Sequence, residues 1–426
     1  MPLRRRTLVA LAAVALATPT ANAAVVPGIG AFSSANVTWH GTLPVDVPGI
    51  GADVVTVGGQ RRFYVTGARG LSIYDVTDPA LPIPLGHLEL PHFENEAVAV
   101  ARDGSVAIIA SEAGLTTYVV DTTNPAVPTL ASVIAEGTHT AACSDAECSY
   151  LYASFGWAYD LRDRANPKKV ADWGGEGYGF THAANLDDAG YVIADWSLKM
   201  YDPRTDPASP TLVAEMGDIS GQQVSLGHNN QRPDADLWQP RAAGDTSPGL
   251  RPGELLLTGG ETLSTGSCPG GSGITSWSIA NFDRGATFTP LDTFYPSAGN
   301  YVDGNPAVNA LGCSSHWFDY RDGVVAAGWY ENGVRFFDVH RTTGDITEVG
   351  WYQPVATEAW AAYWIDDEYV YSVDAVRGID ILRFDRDAAP PAQSQSDASW
   401  RLDPNRPLSF VSRRERLLCS QAQRRA

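Results

Sequence analysis

Short segments in which apolar and polar residues alternate recur along most of the 426-residue chain. In the clearest copy, residues 63–67 form one apolar segment, and residues 70–79 form a second segment that ends in an Asp-Pro turn. Alternation with a period of two, bounded by Gly and Pro, predicts β-strands. The 41 glycines, 28 prolines and 10% aromatic residues agree with many short strands joined by tight turns, as in an all-β fold.

The strands belong to a repeat of about 43 residues. Successive copies begin their innermost strand 43, 43, 43, 46, 88 and 44 positions apart. The residues at these starts are Asp53, Glu96, His139, His182, His228, His316 and Trp360. The 88-residue interval contains only three further strand-like segments and two long insertions, so we count seven repeats rather than eight. Radial stacking buries both faces of each four-stranded unit, and the sequence therefore predicts a seven-bladed β-propeller over residues 36–385.

The last repeat ends after its third strand, at residues 379–384. A candidate for the missing fourth strand lies at the other end of the chain, because residues 36–43 resemble the outer strands at residues 82–90 and 346–354. We therefore expect an N-terminal strand to complete the last blade and to close the ring.

Both ends of the chain differ from the repeats. Residues 1–23 combine three arginines, an apolar stretch and the small-residue sequence Ala21-Asn22-Ala23, which is typical of a signal peptide of the ordinary or the twin-arginine type. We expect a secreted protein, extracytoplasmic or at the cell surface, and no later stretch is long enough for a transmembrane segment. Residues 386–426 are rich in Pro, Gln, Ser and Arg, which predicts a disordered polar C-terminal tail.

The net charge and the cysteines narrow the choice of partners and compartment. A formal net charge of −19 repels phosphate backbones, so we expect no nucleic-acid partner, and the absence of any oligomerisation motif favours a monomer.

Five cysteines in an exported chain favour disulfides. Cys143 and Cys148 flank a four-residue turn and predict one bridge. Cys268 and Cys313 lie in loops on the same face of a propeller and predict a second, which leaves Cys419 over.

Four of the seven aligned positions hold histidine, although the whole chain contains only eight. Innermost strands line the central channel of a propeller, so His139, His182, His228 and His316 are expected to converge near one mouth, with Glu96 beside them. Converging imidazoles suit Cu, Fe or Zn. The sequence thus predicts a transition-metal site with these five residues as ligands. The alternative is that a repeat protein reuses a histidine for reasons internal to each blade.

Candidates for supporting roles lie in the loops that follow each second strand, on the same face as the histidines. Metal-binding histidines usually donate their second N–H group to a carboxylate. The carboxylates in position for this role are Glu112, Asp195, Glu261, Glu331 and Asp374. The run Trp329-Tyr330-Glu331 near the channel mouth is a candidate for substrate contact.

The repeat resembles that of the bacterial LVIVD-repeat propellers, in which an apolar strand is followed by Gly-Leu-x-Ile-x-Asp-Val-x-Asp-Pro. The match is best at residues 70–79, while blades five and six lack the Asp-Pro turn. The resemblance implies an extracellular propeller and leaves the activity open, since that family is mostly of unassigned function.

Two functions are compatible with these features. The first is a metal-dependent oxidoreductase acting on a small molecule at the channel mouth. The axial histidines are similar in arrangement to the four iron-binding histidines of the carotenoid oxygenases, and residues 313–319, Cys-Ser-Ser-His-Trp-Phe-Asp, resemble part of the selenium-binding, methanethiol-oxidising propellers. The second is a non-enzymatic extracellular propeller that binds a cell-surface protein or glycan through the insertions at residues 229–252 and 296–312.

Overall fold

The computed structural model describes residues 31–43, 51–91, 96, 98–111, 116–172, 181–262, 272–296, 300–302, 305–306, 314–354 and 357–388. The predicted signal peptide lies outside the described residues, as does the predicted tail beyond residue 388. So do Glu112, Cys268, Cys313 and Cys419, which means that the predicted Cys268–Cys313 bridge lies outside the described residues too.

The described chain forms seven four-stranded antiparallel blades arranged as a β-propeller, which confirms the predicted fold class. Two strands come first in the chain and join the last two blades: β1 (Ala31–Ser33) and β2 (Val37–Leu43). Blade one contains β3 (Ala52–Val57), β4 (Gln60–Gly67), β5 (Gly70–Asp75) and β6 (Ile83–Glu89). Blade two contains β7 (Val98–Val100), β8 (Val106–Ser111), β9 (Thr116–Asp121) and β10 (Thr129–Ile134). Blade three contains β11 (Ala141–Cys143), β12 (Tyr150–Ala153), β13 (Trp157–Asp160) and β14 (Lys168–Asp172).

The remaining blades repeat this meander. Blade four contains β15 (Ala184–Leu186), β16 (Val192–Ala194), β17 (Lys199–Asp202) and β18 (Thr211–Glu215). Blade five contains β19 (Asn229–Gln231), β20 (Leu255–Gly259), β21 (Ile274–Ser278) and β22 (Thr289–Phe294), and it is followed by the hairpin of β23 (Asn300–Val302) and β24 (Asn305–Pro306). Blade six contains β25 (Phe318–Arg321), β26 (Val324–Gly328), β27 (Val334–Val339) and β28 (Ile346–Pro354). Blade seven contains β29 (Ala359–Trp364), β30 (Tyr369–Asp374) and β31 (Gly378–Phe384), with β2 as its outer strand.

The N-terminal segment closes the ring as predicted. β2 pairs antiparallel with β31, from Val37 opposite Phe384 to Leu43 opposite Ile379. The sequence did not predict that β1 also pairs with β28 and adds a fifth strand to blade six. Residues 31–43 thus pair with blade six through β1 and with blade seven through β2, and this segment links the two blades to each other.

The hydrophobic core lies between neighbouring blades rather than within one blade. Between blades one and two, the fully buried Tyr64 and Ile73 pack with Ile109. Between blades six and seven, the rings of Phe336 and Phe384 stack with 4.6 Å between their centroids. Complete burial of such a side chain contributes about 2 to 3 kcal/mol. Second strands such as β8 and β26 therefore bury side chains on both faces, whereas outer strands such as β6 and β10 are largely exposed.

Aspartates fix the turns that lead into the outer strands. The third strands of blades one to four each end in an aspartate: Asp75, Asp121, Asp160 and Asp202. Each carboxylate accepts a hydrogen bond from the backbone N–H group two residues further on, at 2.9 to 3.0 Å. This side-chain bond replaces a backbone turn contact and sets the reversal of the chain. The repeated aromatic-Asp pattern is thus a turn signal.

Two further findings concern a disulfide bond and the question of membrane-spanning helices. Cys143 and Cys148 form the predicted disulfide across the β11–β12 hairpin, with 4.6 Å between their Cα atoms. Among the described residues, no helix is both long enough and apolar enough to cross a lipid bilayer.

Candidate metal centre

Four histidine rings lie side by side around the propeller axis. His139, His182, His228 and His316 each lie one or two residues before the innermost strand of their blade. Their ring centroids are 4.0, 4.1 and 3.9 Å apart in that order, and each residue is at most 8% exposed. Because the inner strands start at the same height along the axis, residues far apart in sequence meet at one point.

Glu96 occupies the same position in blade two and points its carboxylate at the rings. Its Oε2 atom lies 3.0 Å from Nε2 of His139, 3.4 Å from Nε2 of His182 and 3.3 Å from Nε2 of His228. Its Oε1 atom lies 3.5 Å from Nε2 of His316. The four Nε2 atoms therefore face a single carboxylate, which is itself only 5% exposed.

Main-chain contacts set the orientation of two of the rings. Nδ1 of His182 donates to the carbonyl oxygen of His228 at 3.2 Å, and Nδ1 of His316 donates to the carbonyl oxygen of Trp360 at 2.6 Å. A proton on Nδ1 puts the lone pair of a neutral ring on Nε2, and Nε2 of His182 lies 2.7 Å from Nε2 of His139. The backbone of the next blade thus directs each of these rings toward the axis.

The charges of the cluster suit metal binding. Burial, helped by the neighbouring His228, lowers the pKa of His182 to about 2, and burial lowers the pKa of His228 to about 4. Burial alone would raise the pKa of Glu96, but the surrounding imidazoles outweigh it and hold this pKa well below its usual range. Burial would lower the pKa of His316, yet Glu96 raises it. An ionised carboxylate among mostly neutral imidazoles is the ligating form, because ligands must give up their protons to bind a metal.

Several buried polar atoms of the cluster make no hydrogen bond of ordinary geometry with the described residues. These atoms are Nδ1 and Nε2 of His228 and Oε2 of Glu96. Each unpaired buried group costs about 1 to 3 kcal/mol. Ligand atoms of Glu96 with His228 and His316, and of Glu96 with His139 and His182, lie within 4.8 Å of one another. These buried His and Glu groups could hold a metal ion, and a cation there would pair with the unsatisfied Nε2 and Oε2 atoms.

A second carboxylate faces the rings from a more exposed position. Oε2 of Glu261, just after β20, lies 3.7 Å from Nε2 of His228 and 4.0 Å from Nε2 of His182, while Oε1 lies 4.0 Å from Nε2 of His316. The hydroxyl of Tyr330 donates to Oε1 of Glu261. Burial, followed by the charge of Glu261, raises the pKa of Tyr330, so this phenol remains a donor. Glu261, predicted as an outer carboxylate, thus faces the same nitrogens as Glu96.

The other predicted outer carboxylates that the structure describes contact the main chain. Asp195 accepts hydrogen bonds from the backbone N–H groups of His182 and Ala183, at 3.1 and 3.0 Å, and burial raises its pKa to about 7. Asp374 accepts hydrogen bonds from the hydroxyl of Thr357 and from the backbone N–H of Glu358. Asp195 therefore anchors the turn that carries His182, and Asp374 anchors the segment that leads to Trp360.

Glu331 completes the set of predicted outer carboxylates. Its backbone carbonyl accepts a hydrogen bond from Nε2 of Gln353 at 3.3 Å. Of the neighbouring predicted contact residues, Trp329 is fully buried between blades, and Tyr330 belongs to the cluster. The ring centroid of Tyr330 lies 5.1 Å from that of His316.

Glycine allows blades six and seven to approach closely beside the cluster. Gly328 ends β26, and its carbonyl accepts a hydrogen bond from the N–H of His316 at 3.0 Å. A Cβ atom at this position would lie 2.6 Å from the backbone nitrogen of Ala361 and 2.7 Å from the carbonyl carbon of Trp360. Gly259 ends β20 in the same way, but a Cβ there would meet the ring of Phe318 at 3.2 Å. The contacts at Gly328 are with main-chain atoms, which cannot rotate away, whereas the nearest contact at Gly259 is with a side chain.

Asp53 does not share the position of the histidines, in contrast to the repeat alignment. In blade one the carbonyl of Gly51 accepts the N–H of Thr66, as the carbonyl of Ala183 does in blade four. The residue equivalent to His182 is therefore residue 50, which lies outside the described residues. Asp53 instead lies within β3, and with Asp319 it lines an axial cavity of about 510 Å³.

Comparisons with known proteins identify the fold and no family. No family model matches the chain, and no curated protein matches it in sequence. A chain of the mitotic checkpoint complex is 12% identical with a TM-score of 0.51 over 84% of this chain and 97% of that one. Hydrazine synthase of Kuenenia stuttgartiensis is 10% identical, with a TM-score of 0.52 over 80% and 97%. The β-propeller domain of Myceliophteria thermophila Cps50 (Swd1) is 11% identical, with a TM-score of 0.52 over 82% and 99%. Likeness at such low identity shows the β-propeller fold alone.

Proposed function

We propose that this protein is a secreted, metal-dependent oxidoreductase that binds copper or iron through His139, His182, His228, His316 and Glu96. The observation that carries the proposal is the approach of four imidazole Nε2 atoms to within 3.0 to 3.5 Å of one buried carboxylate. Nε2 of His228 makes no ordinary hydrogen bond with the described residues, and this is costly unless a cation takes part.

The donor set favours copper or iron over zinc. Imidazole nitrogen suits all three metals, but structural zinc sites almost always have four ligands in tetrahedral geometry. Four imidazoles and Glu96 offer five donors, and Glu261 faces the same nitrogens. Copper or iron, when bound, would supply one-electron chemistry. Zinc bound there would supply no redox chemistry.

The chain's own residues would hold the metal and leave one side for a substrate. Neutral imidazoles and the ionised Glu96 balance part of the charge of a divalent cation. Main-chain carbonyls fix the rings of His182 and His316 through their Nδ1 atoms. Glu261 is more exposed than Glu96, with side-chain exposures of 20% and 6%, so a small molecule at the channel mouth would approach the metal from the side of Glu261.

Two features support export and a place outside the cytoplasm. Residues 1–23 have the charged, apolar and small-residue parts of a signal peptide. The Cys143–Cys148 disulfide is of a kind that persists in oxidising compartments. The resemblance to the LVIVD-repeat propellers, which are extracellular, agrees with both.

Metal analysis of three purified proteins tests the proposal. The wild type is compared with a His182→Ala, His316→Ala double variant and with a His87→Ala, His340→Ala control. The control removes the same number of imidazoles from exposed positions. We expect close to one copper or iron per chain in the wild type and the control, and almost none in the double variant. Redox titration followed by absorption or electron paramagnetic resonance should then show a reversible change of oxidation state.

The other outcomes are informative. A wild type without metal, or equal metal in all three proteins, would reject the site. Zinc alone, without redox chemistry, would reject the oxidoreductase and favour a non-enzymatic extracellular propeller that binds a cell-surface protein or glycan.

A further inference from the structure

Two carboxylates face the histidine cluster at different depths. Glu96 approaches the four Nε2 atoms to between 3.0 and 3.5 Å, and its side chain is 6% exposed. Glu261 approaches three of them to between 3.7 and 4.0 Å, and its side chain is 20% exposed. Glu96 therefore packs among the rings, whereas Glu261 lies further out and closer to solvent.

A constrained tyrosine holds Glu261 in this place. Tyr330 has a φ angle of 43°, in the left-handed region that residues with a side chain rarely adopt. Two backbone hydrogen bonds to Ala359 of blade seven, at 2.9 and 3.0 Å, clamp it in that conformation. Its hydroxyl then reaches Oε1 of Glu261. Backbone strain that is stabilised by surrounding contacts is frequent at functional sites.

The hydrogen bond from Tyr330 gives the two carboxylate oxygens of Glu261 different surroundings. Oε1 is occupied by the hydroxyl, and Oε2 faces Nε2 of His182 and His228. The carboxylate thus presents one oxygen to the space beside the cluster. An acceptor fixed in that place can bind a donor on an incoming molecule without first reorganising.

We propose that Glu261, positioned by Tyr330, accepts a hydrogen bond from the molecule that occupies the exchangeable position of the metal. The site then selects small uncharged substrates that carry an O–H, N–H or S–H group on or next to the metal-binding atom, and it disfavours anions. This inference rests on the proposed function, since it requires metal at the cluster. Glu261 is the specificity-determining residue, and Tyr330 is a positioning residue.

Two probe ligands of opposite character test the inference on protein loaded with Co²⁺, whose visible spectrum reports ligand exchange. Hydroxylamine is neutral at neutral pH and carries donors, whereas azide is an anion without a donor. Both are titrated into the wild type, Glu261→Gln, Tyr330→Phe and Glu147→Gln. The last variant removes an equal charge from an exposed carboxylate in the β11–β12 turn.

The expected changes differ in sign between the probes. A hydrogen bond to a charged acceptor corresponds to roughly tenfold or more in affinity. In Glu261→Gln the Kd for hydroxylamine should rise about tenfold, and the Kd for azide should fall because a negative charge has gone. Tyr330→Phe keeps the charge of Glu261 but removes the hydrogen bond that positions it. Hydroxylamine should therefore bind more weakly, and the Kd for azide should change little. Glu147→Gln should leave both Kd values unchanged.

Several results would overturn the inference while the proposed function stands. These are a shift of both probes in the same direction in Glu261→Gln, no shift of either probe, or loss of Co²⁺ from that variant, which would make Glu261 a direct ligand. A wild type that binds no Co²⁺ would instead reject the metal site, and the inference with it.

Discussion

Asp53 on the wall of the axial cavity allows a prediction about stability and pH. Its carboxylate accepts hydrogen bonds from the N–H groups of Val54 and Val100, at 2.7 and 2.9 Å, and makes no ion pair with the basic side chains that the structure describes. Burial raises the pKa of Asp53 to about 6 in spite of these bonds, and the charge of Asp319 adds to the rise. We expect the stability of Asp53→Asn relative to the wild type to rise with pH.

The magnitude follows from the difference in pKa between the folded and unfolded chain. The ordinary value is 3.8 and the folded value is about 6. Each pKa unit corresponds to about 1.4 kcal/mol, which gives about 3 kcal/mol for Asp53. The side chain is partly open to the cavity, so solvent screening reduces this figure, and we expect about 1 to 2 kcal/mol.

The sign is set by which state binds more protons. Below pH 3.8 the carboxyl is protonated in both states and contributes no pH dependence. Between 3.8 and about 6 the folded chain holds the proton and the unfolded chain has lost it, so the free energy of unfolding falls as pH rises. Above about pH 6 the loss is complete. An asparagine, which stays neutral, avoids this loss.

Urea unfolding at about pH 4 and about pH 8 measures the effect. Between the lower and the higher pH, the stability of Asp53→Asn relative to the wild type should rise by about 1 to 2 kcal/mol. The amide NH2 group replaces one of the two oxygens that accept backbone N–H groups, and this cost is the same at both pH values. The exposed Asp236 provides a control, because Asp236→Asn removes the same charge and should show no such pH-dependent gain. A stability difference between variant and wild type that does not change with pH, or that moves in favour of the wild type as pH rises, would refute the reasoning.

Three other predictions concern the site and the fold. In Gly328→Ala the added Cβ meets main chain, so the affinity for metal, measured by calorimetric titration, should fall at least tenfold. Gly259→Ala should have a smaller effect, and equal effects would contradict the close-approach argument. Deletion of residues 36–43 should lower Tm by about 10 °C or more by circular dichroism, because blade seven loses its outer strand, and an unchanged Tm would show that the ring does not need β2. Replacement of Cys143 and Cys148 by Ser should lower the free energy of unfolding by about 2 kcal/mol, the entropy of so short a loop, and an undiminished value would exclude a stabilising role for the bridge.

The fold was predictable because the repeat is visible in the sequence. A spacing of about 43 residues fixes the number of blades, and the missing last strand leads directly to residues 36–43. The pairing of β1 with β28 was not predictable in the same way. It depends on the three-dimensional path of the chain between residues 31–33 and β2, which the pattern of residues does not encode.

The cluster was predictable to the extent that it follows the repeat. His139, His182, His228 and His316 hold one repeat position, and the structure places them side by side. Asp53 was misaligned by three residues because blade one has no histidine to set the phase. Glu261 was predicted as one of five outer carboxylates, but its approach to the imidazole nitrogens was not distinguished from that of the other four. It depends on the left-handed backbone of the residue that holds it, and no periodic signal encodes that conformation.

One tryptophan lies close both to the axial cavity and to the histidine cluster. Trp317 lines the cavity that contains Asp53 and Asp319, and its ring centroid lies 6.2 Å from that of His228. It is only 9% exposed, so its indole is packed among other side chains rather than in open solvent. A molecule that approached the cluster from the cavity would meet this buried indole. Under the proposed function, we therefore expect a substrate to enter from the side of Glu261, whose side chain is 20% exposed.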